Sequence, residues 1–267
     1  MLSTMQRVQE HLDEALTHFH KDQIVGIFLQ GSQNYGLDTP LSDVDTKLIV
    51  VPSFKDIAMN RKPVSTTHVR ANEEHTDWKD IRLYIQTFRK QNLNFLEILY
   101  TEFAIVNPIY EKQWNRLLES REAITHFNPY RSVQSMKGIA LEKYHAMEHE
   151  YPSKIEILKK YGYDPKQLHH LVRVEDYLNR YIAGGKLWKL FRPRSYETRA
   201  NRNQDGKIFT AEARTMADKA KAHVEEMAEY AYSIYPNKED PEVNALLDDV
   251  QYEIMKIAVE KELSEDD

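Results

Sequence analysis

Residues 26–51, GIFLQGSQNYGLDTPLSDVDTKLIVV, predict a strand, a glycine-bearing turn and a second strand headed by acids. The run over 24–30 is rich in β-branched and aromatic residues and stops at Gly31-Ser32. A backbone without a bulky side chain can approach an anion there, and a turn or helix beginning at that point aims N–H groups at a phosphate. The segment Gly36-Leu37-Asp38-Thr39-Pro40 is turn-forming, and Ser42-Asp43-Val44-Asp45 leads directly into a β-rich run over 46–51. Side chains alternate along a strand, so Asp43 and Asp45 are expected on one face, roughly 7 Å apart by the strand rise. Two such carboxylates can bracket divalent cations, and Mg²⁺ is usually held by one or two carboxylates together with substrate phosphates. With two metals about 4 Å apart, one activates an attacking hydroxyl while the other stabilises a leaving pyrophosphate.

The pattern Gly31-Ser32-x-x-Tyr35-Gly36, followed by Ser42-Asp43-x-Asp45 and a hydrophobic strand, resembles the DNA polymerase β-like nucleotidyltransferase superfamily. The resemblance implies an α/β (α+β) catalytic domain with a mixed sheet. It implies further that Gly31, Ser32 and Tyr35 belong to the site for a nucleoside triphosphate such as ATP. Asp43 and Asp45 would bind Mg²⁺, with Mn²⁺ as a substitute. A subgroup of predicted nucleotidyltransferases extends the likeness through Asp80, Tyr84, Phe88, Asn92 and Leu96-Glu97-Ile98-Leu99. Gln91 and Leu93 stand where that subgroup's turn shows Gly and Pro. Asp80 is expected at the head of a strand over 79–84, as a third, catalytic and metal-binding carboxylate. Asp77, three positions earlier, would face the other way in one extended strand. Glu97, inside an apolar run, is expected to orient a neighbour by hydrogen bonding.

The 267 residues are 41% hydrophobic and 29% charged, which fits a globular chain with one large or two small cores. Two domains are expected, a catalytic one over 1–127 and an all-α one over 128–267. No apolar run approaches the ~20 residues of a membrane helix, and no basic region precedes an N-terminal hydrophobic stretch, so a cytoplasmic protein without a membrane partner is expected. The lack of cysteine excludes disulfides, thiolate metal sites and thiol nucleophiles. A net charge of −6 argues against a broad grip on nucleic acid and leaves room for a local basic groove. Arg70 with His75, and Arg121 with His126, share an R-x4-H spacing found in helical ribonucleases, but neither lies in a late helix of a four-helix bundle.

Apolar residues at helical spacing predict a helix over 5–19 that covers one sheet face, and a helical turn over 54–59. Residues 64–76 are polar and show no clear period. Further helices are expected over 131–148, from Pro165 behind an Asp164 N-cap to a stop at Gly184-Gly185, over 211–232 and over 241–258. The segment YDPKQLHHLVRVEDYL resembles a part of the same subgroup in which a Tyr-Asp-x-Lys start leads to a His and an Arg one turn apart. The matching Lys166, His169 and Arg173 share a helix face and are expected to bind nucleotide or acceptor. Residues 186–202 interleave basic side chains with Trp188, Phe191 and Tyr196, a pattern suited to stacking on bases. The expected activity is Mg²⁺-dependent transfer of a nucleoside monophosphate to a hydroxyl on an RNA end, a protein side chain or a small molecule. A nucleotide-binding or interaction module on the same fold, without transfer, is the alternative.

Overall fold

The run IVGIFLQ is β-branched and aromatic, and it forms β1 (Ile24–Gln30), buried along its length until Gln30. DTKLIV forms β2 (Asp45–Val50), antiparallel to β1 with Gln30 opposite Asp45 and Phe28 opposite Lys47. The computed structural model describes residues 3–36, 38, 42–185 and 210–265. Three further strands, β3 (Ser65–Val69), β4 (His75–Asp80) and β5 (Ala104–Val106), complete a sheet of order β3-β4-β2-β1-β5. The β2 and β4 strands run parallel and the other neighbours antiparallel, so the sheet is mixed.

α1 (Thr4–Ala15) opens on a capping box between Ser3 and Gln6. Its Val8 and Ala15 cover one sheet face with Ile27, Leu29, Leu48 and Trp78. A short α2 (Phe54–Ala58) follows β2, capped by Ser53. The opposite face is covered by α3 (Ile81–Arg89), α4 (Leu93–Leu96), α5 (Glu111–Glu119) and α6 (Arg121–Thr125). Tyr84, Phe88, Trp114 and Leu117 pack there against Val25, Phe28 and Ile49.

The strand expected over 79–84 is corrected by this arrangement. β4 ends at Asp80 and a helix begins at Ile81, because the Asp80 carboxylate accepts the Arg82 N–H and caps the helix. Ile81, Tyr84, Ile85 and Phe88 are all buried, at helical rather than strand spacing. The stretch 64–76, without a legible period, holds β3 and the start of β4. Gln91 adopts a left-handed φ of 53°, so a non-glycine residue supplies the turn conformation expected of glycine. Its side-chain amide donates to the carbonyls of Phe88 and Ile124 and stays buried.

Contacts along the chain define two units, Met1–Phe127 with Glu239–Asp267, and Asn128–Lys238. The second is helical, built from α7 (Pro129–Ala146), α8 (Ile155–Tyr161), α9 (Pro165–Ile182) and α10 (Thr210–Ile234). Asp164 caps α9 and Pro165 occupies its first turn. Ala213, Ala217, Ala220, Ala228 and Ala231, with Val224 and Met227, form the buried side of α10. The last helix, α11 (Pro241–Glu265), belongs to the first unit. The single helical domain expected over 128–267 therefore ends short of α11, whose Leu247, Val250 and Ile254 complete the core beneath the sheet. Arg89 pairs with Asp248 and Arg116 with Asp249 and Glu253 along its edge. Among the described residues no helix is long and apolar enough to cross a membrane.

Candidate active site

Beyond Gln30 the chain turns through Gly31 at φ 93° and ψ −154°, a backbone region open essentially to glycine alone. A 3-10 turn follows over Ser32–Tyr35 and closes at Gly36 in the left-handed region. The Asn34 N–H donates to the Gly31 carbonyl, 3.1 Å. The Asn34 side chain fastens the turn to β1 by donating to the Leu29 carbonyl, 2.9 Å, and accepts from the Thr101 hydroxyl, 2.6 Å. Gln33 Nε2 donates to the Asp43 carbonyl at 2.7 Å, tying the glycine turn to the acidic segment. The Tyr35 side chain lies outside the described residues.

Val44 is buried in the core beneath α1, and the alternation of an extended chain sends Asp43 and Asp45 the other way. Asp43 is exposed and Asp45 half-buried. The Asp45 carboxylate accepts the His75 N–H at 3.1 Å, with the His75 ring 3.3 Å away. Register then decides which acid of β4 joins them. Lys47 pairs with Asp77, and Val50 with Asp80. Residues paired across a ladder share a face, so Asp77 lies on the side of Asp45 and Lys47, while Asp80 lies on the other. Side-chain bonds agree with this parity: Lys47 Nζ reaches Asp77 at 3.2 Å, and Thr46 donates to Thr76 at 3.1 Å on the opposite face. The expectation that Asp80 reaches the acid pair is thus corrected. Asp80 is 1% exposed and bound at 2.7 Å to the Arg82 guanidinium. Asp77 stands a diagonal step of roughly 8 Å from Asp45 between backbones.

The face around Asp77 alternates in charge. Lys47 and Lys79 both lie over the Phe95 ring, at 4.3 and 5.1 Å from its centroid. Burial lowers the Lys79 pKa, against the opposing pull of Asp77. Tyr84 is pushed well above the ordinary phenol range by its burial, with Glu97 and Asp77 adding to the shift. Asp77 Oδ1 accepts from Thr67 at 2.7 Å, so both of its oxygens are engaged. Neither Lys47 nor Thr67 carries a sequence signal; strand pairing alone brings them here.

Among the described residues no three His, Asp or Glu side chains form a ready-made metal cluster. Asp43 and Asp45 provide hard oxygen donors on one face, the donor set that Mg²⁺ takes when phosphate oxygens and water fill its remaining positions. The residues present fit that ion.

In the helical unit, Lys166 is exposed, Arg173 half-buried and His169 only 2% exposed. The basic stripe read from sequence therefore presents Lys166 and Arg173, while His169 is packed inside. The neighbouring His170 is held well below its ordinary pKa by burial, with Arg173, His169, Lys166 and Lys143 adding positive charge around it. Lys143, from α7, is a member of this cluster that the spacing along α9 could not reveal. The aromatic and basic stretch over 186–202 lies outside the described residues.

No family model and no curated protein matches the chain. In structure it is similar to a nucleotidyltransferase-like protein from Exiguobacterium sibiricum 255-15, with 10% identity and a TM-score of 0.29 over 85% of this chain and 75% of that one. A likeness that slight carries no argument about activity.

Proposed function

We propose that the chain is a Mg²⁺-dependent nucleotidyltransferase that moves a nucleoside monophosphate from a triphosphate such as ATP to a hydroxyl acceptor. The observation that carries this reading is the bond from Gln33 to the Asp43 carbonyl, which holds a glycine turn beside two carboxylates on one face. The acceptor oxygen bonds to the α-phosphorus, the bond to the bridging oxygen breaks, and pyrophosphate leaves with that electron pair. Such chemistry depends chiefly on alignment and on neutralising charge. Mg²⁺, when bound by Asp43 and Asp45, supplies Lewis-acid stabilisation of the phosphate oxygens. Gly31, Ser32 and Tyr35 bind the triphosphate side of the nucleotide, and Asp77 takes the acceptor proton in the role first expected of Asp80. On the helical unit, Lys166 and Arg173 offer positive charge to an anionic group, with His169 packed behind them.

The acceptor class is open among RNA ends, protein side chains and small molecules, since such sites serve all three. Incubation with each nucleoside triphosphate, Mg²⁺ and bulk RNA or protein, read by mass spectrometry, tests the proposal. A nucleotide-sized mass gain with pyrophosphate release supports it. A second reading, nucleotide binding without transfer, is favoured by the engagement of both Asp77 oxygens by Lys47 and Thr67. Saturable nucleotide binding with no pyrophosphate for any acceptor would establish that reading instead.

A further inference from the structure

We propose that Glu74 is the positioning residue that sets the Asp43-Val44-Asp45 segment for metal binding, an inference that rests on the nucleotidyltransferase reading. Glu74 is 1% exposed and immediately precedes β4. The parallel ladder of β2 with β4 begins at Thr46 and Thr76, so Val44 lies beyond its end. There the Val44 N–H donates to Glu74 Oε1 at 3.1 Å, and a side-chain oxygen continues the work of the ladder. The same oxygen meets the Arg7 guanidinium, whose Nη1 also donates to the Ser42 carbonyl at 3.2 Å. Oε2 is held by Asn72 Nδ2 at 2.8 Å, His11 Nε2 at 2.9 Å and Arg70 Nη1 at 3.2 Å. The next residue, His75, donates its N–H to the Asp45 carboxylate.

Three points of the acidic segment are therefore held around Glu74: the Val44 N–H by Glu74 itself, the Ser42 carbonyl by its ion-pair partner Arg7, and the Asp45 carboxylate by the adjoining His75 N–H. Buried ion pairs are often no more stabilising than well-packed apolar groups, so this cost in desolvation calls for another role. Carboxylates that bind a metal are oriented by their own hydrogen bonds, and losing such support weakens metal affinity roughly 10- to 100-fold. Glu74 grips the peptide between the two aspartates, so its removal lets both swing.

Mn²⁺ titration of the full chain, followed by electron paramagnetic resonance, tests this, with the site's signal identified by its loss in Asp45→Asn. Glu74→Gln should raise the Mn²⁺ Kd roughly 10- to 100-fold. Arg7→Met, at a partly exposed position on α1, should raise it less but in the same direction. Hydrogen exchange over 42–46 should quicken in both variants, without metal present. A merely structural role would lower the melting temperature and leave the Kd of the folded protein unchanged, and that result overturns the inference. If Glu74→Gln does not fold, Arg7→Met decides. A wild-type chain that binds no Mn²⁺ overturns the metal reading and this inference together, whereas wild-type affinity in folded variants overturns this inference alone.

Discussion

Asp77 and Asp80 differ by three positions, and that odd number is enough to send them to opposite faces of β4. Asp43→Asn, Asp45→Asn and Asp77→Asn should each lower transfer by a factor on the order of a hundred or more. Asp80→Ala should instead leave turnover of the folded protein near wild type and cost roughly 2–4 kcal/mol of stability, because it removes a helix cap and the charged hydrogen-bond partner of the half-buried Arg82 guanidinium. Parallel transfer assays and urea denaturation separate the two; transfer abolished by Asp80→Ala in a folded protein would return the third-carboxylate role to Asp80. At Gly31 an added Cβ meets nothing within 4 Å, so the cost of Gly31→Ala lies in its φ of 93° and not in crowding. A loss of about 1–3 kcal/mol is expected, together with weaker nucleotide binding. An equally stable Gly31→Ala would show that the turn tolerates side chains. Parity along a strand could be read from the residues themselves, and so the conflict between Asp77 and Asp80 was visible. Which of them faces Asp45 depends on pairing with β2, a contact between segments thirty residues apart.

α1 closes over the sheet around a buried histidine. His11 Nε2 meets Glu74 at 2.9 Å, while Nδ1 meets the hydroxyls of Thr46 at 2.9 Å and Thr76 at 3.0 Å. Burial, with Arg70 beside it, pushes the His11 pKa from 6.5 down to about 4. The folded-state value is depressed, so His11 is neutral in both states above 6.5, and between 6.5 and about 4 only the unfolded chain takes up the proton. Stability therefore falls as pH drops through that window, by about 2 kcal/mol between roughly pH 7 and pH 5 from this residue. Urea titrations at the two pH values should show a smaller drop for His11→Gln than for wild type. Identical drops would remove His11 from the acid sensitivity. The amphipathic face of α1 was evident from Val8, Leu12 and Ala15, yet His11 has the spacing of those apolar residues and no signal of its polar partners. Those partners come from β2, β4 and the turn before β4.

At the scale of the molecule, the chain leaves the sheet-bearing unit after Phe127 and comes back to it at Glu239. Val243, Leu247, Val250 and Ile254 are each 5% exposed or less. Burying each is worth roughly 1.5–3 kcal/mol, so together they are comparable with the whole stability of an ordinary domain. Deleting residues 239–267 should abolish cooperative unfolding of the sheet-bearing unit, read as loss of near-ultraviolet circular dichroism and of a thermal transition. A truncated chain that kept both would show that α11 is dispensable to that core.

The sequence by itself determined the strand-turn-strand at 24–51, the glycine at its bend, the alternation that sends Asp43 and Asp45 away from Val44 and the cap and proline that start α9. Each of these depends on local backbone sterics or on the period of a single element. Only the tertiary structure decided the partner of each strand, the face of Asp77, the grip of Glu74 on Val44 and the return of α11 to the first core. An amphipathic helix states that it must bury one side without naming the surface it covers, and a strand's alternation fixes its two faces without fixing its register. Those choices belong to residues distant in sequence and are settled when their side chains share one interior.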